Sequence, residues 1–122
     1  MSGILPVALG GAVGASGRYL IGLLPVRTAF PVLTLLINLC GAAVIGWIAA
    51  FSARRGMGDG WLLFWKTGVC GGFTTFSTFS LETLSLLQGG HPALGALYAA
   101  LSVGLCIAGT AAGQYLTVRM AG

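Results

Sequence analysis

Four long apolar stretches divide the chain, and short polar or turn-forming segments separate them. The stretches cover about residues 4–24, 30–51, 61–87 and 93–118. A membrane-spanning helix needs roughly 20 apolar residues, so each stretch is long enough to cross a bilayer. Because lipid offers the backbone no hydrogen bonds, we expect each stretch to be helical wherever it meets lipid. The pattern predicts a single all-α transmembrane domain, residues 1–122, with four spans.

The composition favours a membrane location over a soluble domain. Apolar residues make up 57% of the chain and charged residues only 7%, whereas a soluble domain carries roughly 25% charged residues. Two acidic and six basic residues are too few to cover a water-facing surface. We therefore expect a multi-pass protein of the cell membrane. The basic residues form no stripe along the sequence, so we do not expect nucleic-acid binding.

The third stretch is too long and too polar for a simple span. Its centre, Gly71–Ser80, reads GGFTTFSTFS. Adjacent glycines and adjacent β-branched threonines both weaken a helix, so the sequence predicts a break near Gly71–Thr75. A broken helix exposes N–H groups that attract anions and carbonyls that attract cations. The alternative is an unbroken helix whose hydroxyl groups bond to its own backbone.

The basic residues are divided four against two between the two sides of the predicted bundle, which is only a weak bias. One side holds Arg54, Arg55, Lys66 and Arg119, and the other holds Arg18 and Arg27. Such a weak bias fixes the orientation poorly, so two copies could insert in opposite directions and pair about an axis in the membrane plane. Four short helices also leave little room for a pore within one chain. We expect an antiparallel, dual-topology homodimer.

Catalysis is not expected from this sequence. The chain has one histidine, no pair of carboxylates and no nucleophile beside a base, which leaves no constellation for acid–base or covalent chemistry. Cys40, Cys70 and Cys106 match neither a zinc site nor a disulfide scaffold. We interpret all three cysteines as small buried residues.

Asn38 and two phenylalanines are the first candidates for a solute path. Asn38 lies deep in the second span, where its amide must find a partner. That partner is either a neighbouring helix or an anion that receives the NH2 group. Phe76 and Phe79 are three residues apart and share a helix face. Packing is the usual role of such a pair, but an electropositive ring edge can also face a small anion without trapping it.

Hydroxyl groups and one carboxylate accompany these residues. The hydroxyl candidates are Ser77, Thr78, Ser80 and Thr83 on the third span and Tyr98, Ser102 and Thr110 on the fourth. A ladder of hydroxyls can replace water around a strongly hydrogen-bonded ion such as fluoride. Glu82 is an acidic residue within a span and is functional by default, unless a hydroxyl or backbone donor near a pore mouth satisfies it. Arg18, in the first span, is a candidate partner for Glu82.

Three stretches of the chain resemble the Fluc (CrcB) family of fluoride channels. They are Gly10–Tyr19 (GGAVGASGRY), Thr34–Gly41 (TLLINLCG) and Gly68–Glu82 (GVCGGFTTFSTFSLE). The resemblance extends over essentially the whole chain. It implies an antiparallel dual-topology homodimer with two fluoride pores, which exports fluoride passively and lowers its concentration in the cytoplasm.

The resemblance also implies roles for individual residues. It assigns the fluoride pore to Asn38, Phe76, Phe79, Ser77, Thr78, Tyr98, Thr110 and Glu82. Gly71 and Thr74 match positions whose backbone carbonyls, from both subunits, hold a central structural sodium ion. Arg18 matches an arginine of the first span near the vestibule.

Two other kinds of protein compete with a channel at this stage. A small four-helix, proton-coupled exporter of drugs or cations needs a carboxylate that exchanges protons for its substrate. Glu82 is the only such residue within a predicted span, and the first span carries Arg18 instead. A scaffold subunit without a water path is the remaining alternative.

Overall fold

The computed structural model describes residues 2–121 as a chain of helices. The helices are α1 (Ile4–Gly22), α2 (Val32–Arg55), α3 (Asp59–Leu62), α4 (Gly71–Phe73), α5 (Phe76–Gln88) and α6 (Pro92–Ala121), with a π-helix at Leu63–Cys70 between α3 and α4. This described part of the chain contains no β-strand, so the all-α prediction is confirmed for it.

Within residues 2–121, three helices are long and apolar enough to cross a membrane, namely α1, α2 and α6. They contain 19, 24 and 30 residues. At the usual rise per residue, α1 is about 28 Å long and α6 about 45 Å. Spanning helices contain about 17–25 residues for a hydrocarbon core of about 30 Å, so α1 lies near the lower end of this range and α6 above it. The predicted spans 4–24, 30–51 and 93–118 correspond to these helices. The predicted span 61–87 is divided into α3, the π-helix, α4 and α5.

The break in the third span lies at Thr74 and Thr75. Both residues are extended, with φ −114° and ψ 124° at Thr74 and φ −129° and ψ 111° at Thr75. Gly71–Phe73 remains helical. The predicted break within Gly71–Thr75 is therefore confirmed, and the alternative of an unbroken helix is wrong. The β-branched threonines, which favour extended backbone, form the break, and the glycines do not.

Small residues bring α1 against the π-helix. A Cβ atom on Gly10 or on Gly14 would overlap a backbone carbonyl of the π-helix, so the two backbones touch only because these positions lack side chains. Gly113 of α6 lies in the same way against the carbonyl of Ala43 in α2. Gly109, one turn earlier on α6, lies against Leu39 of α2, so glycines spaced four apart bring both helix pairs into close contact.

Large apolar side chains cover much of the outer surface, as expected for contact with lipid. Leu20 is 62% exposed on α1 and Ile107 is 66% exposed on α6. The cysteines do not share one environment, because Cys70 is buried, Cys106 is half-buried and Cys40 is exposed. The prediction of burial is therefore wrong for Cys40, which lies on an outward face of α2, and holds fully only for Cys70.

Candidate functional site in a groove at the helix break

The break opens into a groove with a volume of about 470 Å³. We call it the large groove. It is lined by Asn38, Gly41, Ala42, Ile45, Cys70, Gly71, Thr74, Thr75, Phe76, Phe79, Ser102, Val103, Cys106, Ile107 and Thr110. Helix α2, the break, the start of α5 and the middle of α6 thus contribute to one site. None of these described lining residues is charged, so only dipoles and rings face the groove.

Asn38 holds the extended backbone of the break. Its Oδ1 accepts a hydrogen bond of 2.7 Å from the Thr75 amide, and its Nδ2 donates to the Thr75 carbonyl at 3.3 Å. An amide that leaves a helix needs such a partner when it is removed from water. The sequence left open whether the Asn38 amide bonds to a neighbouring helix or to an anion. The geometry allows both, because Nδ2 carries a second N–H beyond the one that bonds to Thr75.

Thr75 caps the N-terminus of α5. Its Oγ1 accepts a hydrogen bond of 3.1 Å from the Thr78 amide and lies 3.0 Å from Thr78 Oγ1 and 3.2 Å from Ser77 Oγ. This is the usual arrangement of a threonine N-cap, and it leaves the positive end of the helix dipole at the break. Ser77 and Thr78, two predicted pore hydroxyls, therefore belong to the cap cluster and lie outside the lining of the large groove.

Phe76 and Phe79 both line the large groove. Their ring centroids are 5.5 Å apart with an interplanar angle of 42°. Phe76 is 78% exposed, so its ring projects from the chain. Phe79 packs against Tyr98, with centroids 5.1 Å apart at 56°. The two rings therefore lie side by side. Phe79 packs against α6, and the outer face of Phe76 is exposed.

Carbonyl groups around α4 divide into those that bond to side chains and those that do not. Arg18 Nε donates to the Gly72 carbonyl at 3.2 Å, and Thr74 Oγ1 donates to the Cys70 carbonyl at 2.9 Å. In the part of the chain that the structure describes, no side chain donates to the carbonyls of Gly71 or Thr74. These are the two residues predicted to hold a cation, and both line the large groove.

Glu82 faces a second groove, which we call the Glu82 groove. It has a volume of about 440 Å³ and is lined by Val26, Thr28, Ala29, Phe30, Pro31, Val32, Leu33, Thr34, Leu81, Glu82, Ser85 and Leu86. Thr34 Oγ1 donates to one carboxylate oxygen of Glu82 at 3.0 Å, and Tyr98 Oη donates to the other at 2.9 Å. Hydroxyl donors therefore satisfy Glu82. The considered pairing with Arg18 is not formed, because Arg18 bonds to Gly72.

The remaining predicted hydroxyls differ in position. Tyr98 is completely buried and is absent from the lining of both grooves, although it contacts Phe79 and Glu82. Thr110 lines the large groove, and its Oγ1 lies 3.1 Å from the carbonyls of both Ala42 and Cys106. Either carbonyl can accept its single proton, while the oxygen remains an acceptor.

Sequence reasoning missed Thr34 and Thr75. Thr34 lies four residues before Asn38, so the two share a face of α2, and this spacing was available in the sequence. Thr75 precedes a helix that begins with Phe76, and a threonine directly before an apolar helix is a common N-cap signal. The bonds to Glu82 and Asn38 join residues 48 and 37 positions apart and have no local signature.

Together these features define a multi-pass helical membrane protein with an uncharged, largely apolar groove at an interrupted helix. Comparison with known proteins then gives the family. A family model described as CrcB-like protein, Camphor Resistance (CrcB), matches residues 5–114, and the chain belongs to this family.

Curated relatives match along nearly the whole chain. A protein of Cereibacter sphaeroides is 45% identical, with 93% of each chain covered. One of Roseobacter denitrificans is 44% identical, with 95% of each covered, and one of Ruminiclostridium cellulolyticum is 40% identical over 99% of this chain and 96% of its own. Each of these relatives is named fluoride-specific ion channel FluC. The resemblance to fluoride channels noted in the sequence is confirmed.

Proposed function

We propose that this protein is a fluoride channel that lets fluoride leave the cell passively down its gradient. The observation that carries the proposal is the uncharged large groove, in which the rings of Phe76 and Phe79 lie beside the amide of Asn38 and the N-terminus of α5. The names of the relatives support fluoride as the ion.

The chemistry of the groove suits a small, strongly hydrated anion. The second N–H of Asn38 can donate a hydrogen bond to an anion, and the positive end of the α5 dipole can attract one, without a full charge on either. Electropositive ring edges add to this field. Since no described lining residue is charged, the anion is attracted by dipoles and can also leave, as conduction requires. On this proposal Ser77, Thr78, Tyr98, Thr110 and Glu82 extend the polar path beyond the rings.

The exporter alternative gains no support. The relatives reported above carry the name of an ion channel. The carboxylate that an exporter would use, Glu82, already accepts hydrogen bonds from Thr34 and Tyr98.

A flux assay tests the channel. Purified protein is reconstituted into fluoride-loaded liposomes, and a fluoride electrode records efflux after a potassium ionophore removes the voltage. We expect rapid efflux that falls strongly in Phe76→Ile and persists in Leu84→Ile, a control on the same helix that lies outside both grooves. Absence of efflux from the wild type would refute the proposal, and equal efflux from the Phe76 variant would refute the assignment of Phe76 to the pore. Uptake of a quaternary amine driven by a proton gradient would favour the exporter.

We further propose that the channel is an antiparallel homodimer. Helix α5 exposes Phe76, which lines the large groove, together with the polar residues Ser77 and Ser80, and polar residues at membrane depth usually face protein or a water-filled cavity. A second copy that covers this face would remove them from lipid and complete the wall of the large groove. The weak bias of basic residues supports insertion in both orientations.

Site-directed labelling tests this arrangement. A single cysteine is introduced by Gly58→Cys, in the exposed loop between α2 and α3, after the native cysteines have been replaced by serine. In intact cells, an impermeant maleimide should label about half of the copies from outside if both orientations are present. Labelling of nearly all copies or of none would contradict dual topology. Light scattering on the purified protein measures whether it is a dimer.

A structural sodium ion is a third proposal. Gly71 and Thr74 line the large groove, and their carbonyls receive no side-chain donor in the described part of the chain. Backbone oxygens are the hard ligands that such a cation prefers. When bound, the cation would supply positive charge near the anion path. Two residues from each copy would provide four oxygens.

Ion substitution tests the sodium proposal. We expect the unfolding temperature of the purified protein to rise with sodium concentration, because a ligand that binds only the folded state stabilises it. Replacement of sodium by N-methylglucamine at equal ionic strength should abolish the rise. An unfolding temperature that is the same in both salts would contradict a sodium site.

A further inference from the structure

Four aromatic rings form a continuous row from the large groove to the Glu82 groove. Phe76 and Phe79 line the large groove, and Phe79 packs against Tyr98. Tyr98 in turn meets the ring of Phe30, with centroids 5.5 Å apart and an interplanar angle of 80°. Phe30 lines the Glu82 groove. The completely buried Tyr98 therefore joins a ring that faces one groove to a ring that faces the other.

The backbone around Phe30 is held in a tight turn. The Phe30 carbonyl accepts a hydrogen bond of 2.8 Å from the Val32 amide and one of 2.6 Å from Thr28 Oγ1. Pro31, between Phe30 and Val32, has φ −76° and ψ 73°, which is the geometry of an inverse γ-turn. Because the proline ring fixes φ near this value, the sequence itself favours the turn. The Phe30 ring is thus placed at a defined point directly before α2.

We propose that Phe30 is a positioning residue, whose ring holds Tyr98 where its hydroxyl donates to Glu82. The hydrogen bond from Tyr98 Oη to the Glu82 carboxylate is 2.9 Å long. An edge-to-face contact between rings is directional, so the Phe30 ring opposes tilting of the phenol into the space that Phe30 occupies. Among the described residues, the other aromatic contact of Tyr98 is Phe79. A small tilt is enough to matter, because a hydrogen bond weakens steeply as its geometry departs from the optimum.

The position of Tyr98 affects the anion path through Glu82. Tyr98 and Thr34 donate to different oxygens of the Glu82 carboxylate, and donated hydrogen bonds stabilise the negative charge of a carboxylate. If the Tyr98 hydroxyl moves away, one oxygen loses this donor and more of the charge faces the Glu82 groove, which disfavours an anion there. This consequence rests on the proposed function. The support of Tyr98 by Phe30 does not depend on that function, and the two are measured separately.

A double-mutant cycle on stability tests the positioning role. Tyr98→Phe removes the hydroxyl, and the resulting fall in unfolding temperature of the purified protein is measured in three backgrounds, namely wild type, Phe30→Leu and Phe51→Leu. Phe51 is the matched control, since its ring stacks on Trp47 with centroids 5.3 Å apart and lies outside both grooves. We expect Phe30→Leu to reduce the fall to less than about half, because a hydroxyl no longer held at Glu82 costs less to remove. Phe51→Leu should leave the fall unchanged.

Two outcomes of this cycle would overturn the proposal. Equal falls in all three backgrounds would show that the Phe30 ring packs against Tyr98 without positioning its hydroxyl. Equally reduced falls in the Phe30 and Phe51 backgrounds would show a general loss of packing. Gel filtration checks that each variant is folded, and Phe30→Met, which is apolar and flexible but has no ring, replaces Phe30→Leu if the latter aggregates.

Fluoride efflux from liposomes tests the consequence for the anion path. We expect Phe30→Leu to reduce efflux at least about threefold, as the loss of one hydrogen bond does. Phe30→Tyr keeps an aromatic ring and should retain at least about half of the efflux, and Phe51→Leu should retain all of it. Wild-type efflux from Phe30→Leu, or equal losses in Phe30→Leu and Phe30→Tyr, would overturn the role of the Phe30 ring in the path. A wild-type protein that shows the coupling in stability but no efflux would refute the proposed function and leave the positioning role intact.

Discussion

Asn38 is predicted to have two separable roles, and two substitutions distinguish them. In the structure its Oδ1 accepts from the Thr75 amide at 2.7 Å and its Nδ2 donates to the Thr75 carbonyl at 3.3 Å. Asn38→Ala removes both hydrogen bonds. Asn38→Asp keeps an oxygen for the Thr75 amide but loses the donor and adds a negative charge to the wall of the large groove.

The magnitudes follow from these contacts. A buried backbone N–H without a partner costs about 1–3 kcal/mol, and a lost neutral hydrogen bond costs about 0.5–1.5 kcal/mol. Asn38→Ala should therefore lower the free energy of unfolding by about 2–4 kcal/mol, and Asn38→Asp by less, because the shorter bond is retained. If the anion lies within reach of residue 38, an added negative charge about 4 Å from it costs about 4 kcal/mol at an effective dielectric constant of about 20. This corresponds to a reduction in anion occupancy of about 1,000-fold.

Two assays read out the two roles. Unfolding in mixed detergent micelles, followed by tryptophan fluorescence, gives the stability of each variant, and liposome efflux gives the flux. Cys40→Ala, two residues along α2 and exposed, is the control and should change neither. We expect Asn38→Asp to be more stable than Asn38→Ala and yet to conduct little fluoride.

Two outcomes would refute this reasoning. If Asn38→Ala is as stable as the wild type, the bonds to Thr75 do not hold the break. If Asn38→Asp conducts fluoride as well as the wild type, the amide does not face the anion path, and its role is confined to joining α2 to the break.

The other predictions concern packing at the break and the support of Glu82. Gly41→Ala places a Cβ on the methyl group of Thr74 and should destabilise the protein by about 1–3 kcal/mol, as overpacking does; an unchanged unfolding curve would contradict this close contact. Tyr98→Phe removes one donor to Glu82 and should cost about 1–3 kcal/mol, while Tyr115→Phe, at an exposed position of the same helix, should cost nothing measurable. Equal curves for the two tyrosine variants would show that the bond to Glu82 contributes no stability.

The length of the apolar stretches was enough to predict three of the spans, because a bilayer fixes the length of a helix that crosses it. The break was predicted only to within five residues, Gly71–Thr75. Its position at Thr74 and Thr75 depends on Asn38, which is 37 residues from Thr75 in the chain. Local propensities alone made a break at Gly71 and Gly72 as plausible as one at the two threonines. The π-helix was not predicted, since eight residues of apolar sequence do not distinguish its period from that of an α-helix.

The contacts of Glu82 illustrate the same limit for the candidate site. A carboxylate within a span signals a function or a partner, and the sequence offered Arg18 as one candidate. The structure gives Thr34 and Tyr98 instead. Uncharged hydroxyl donors cannot be identified from the distribution of charges along a sequence. Only the packing of α2, α5 and α6 shows that Thr34 and Tyr98 are the partners of Glu82.

Thr75 explains how the site obtains its polarity without charged side chains. Its extended backbone follows α4, and its Oγ1 caps α5, so the carbonyl end of one helix and the N–H end of the next lie only a few residues apart along the backbone. A lysine or arginine in the groove would attract an anion more strongly but would also hold it, because a charge acts at longer range than a dipole. In a channel, where release matters as much as entry, a break fixed by Asn38 and Thr75 serves better than a charged side chain.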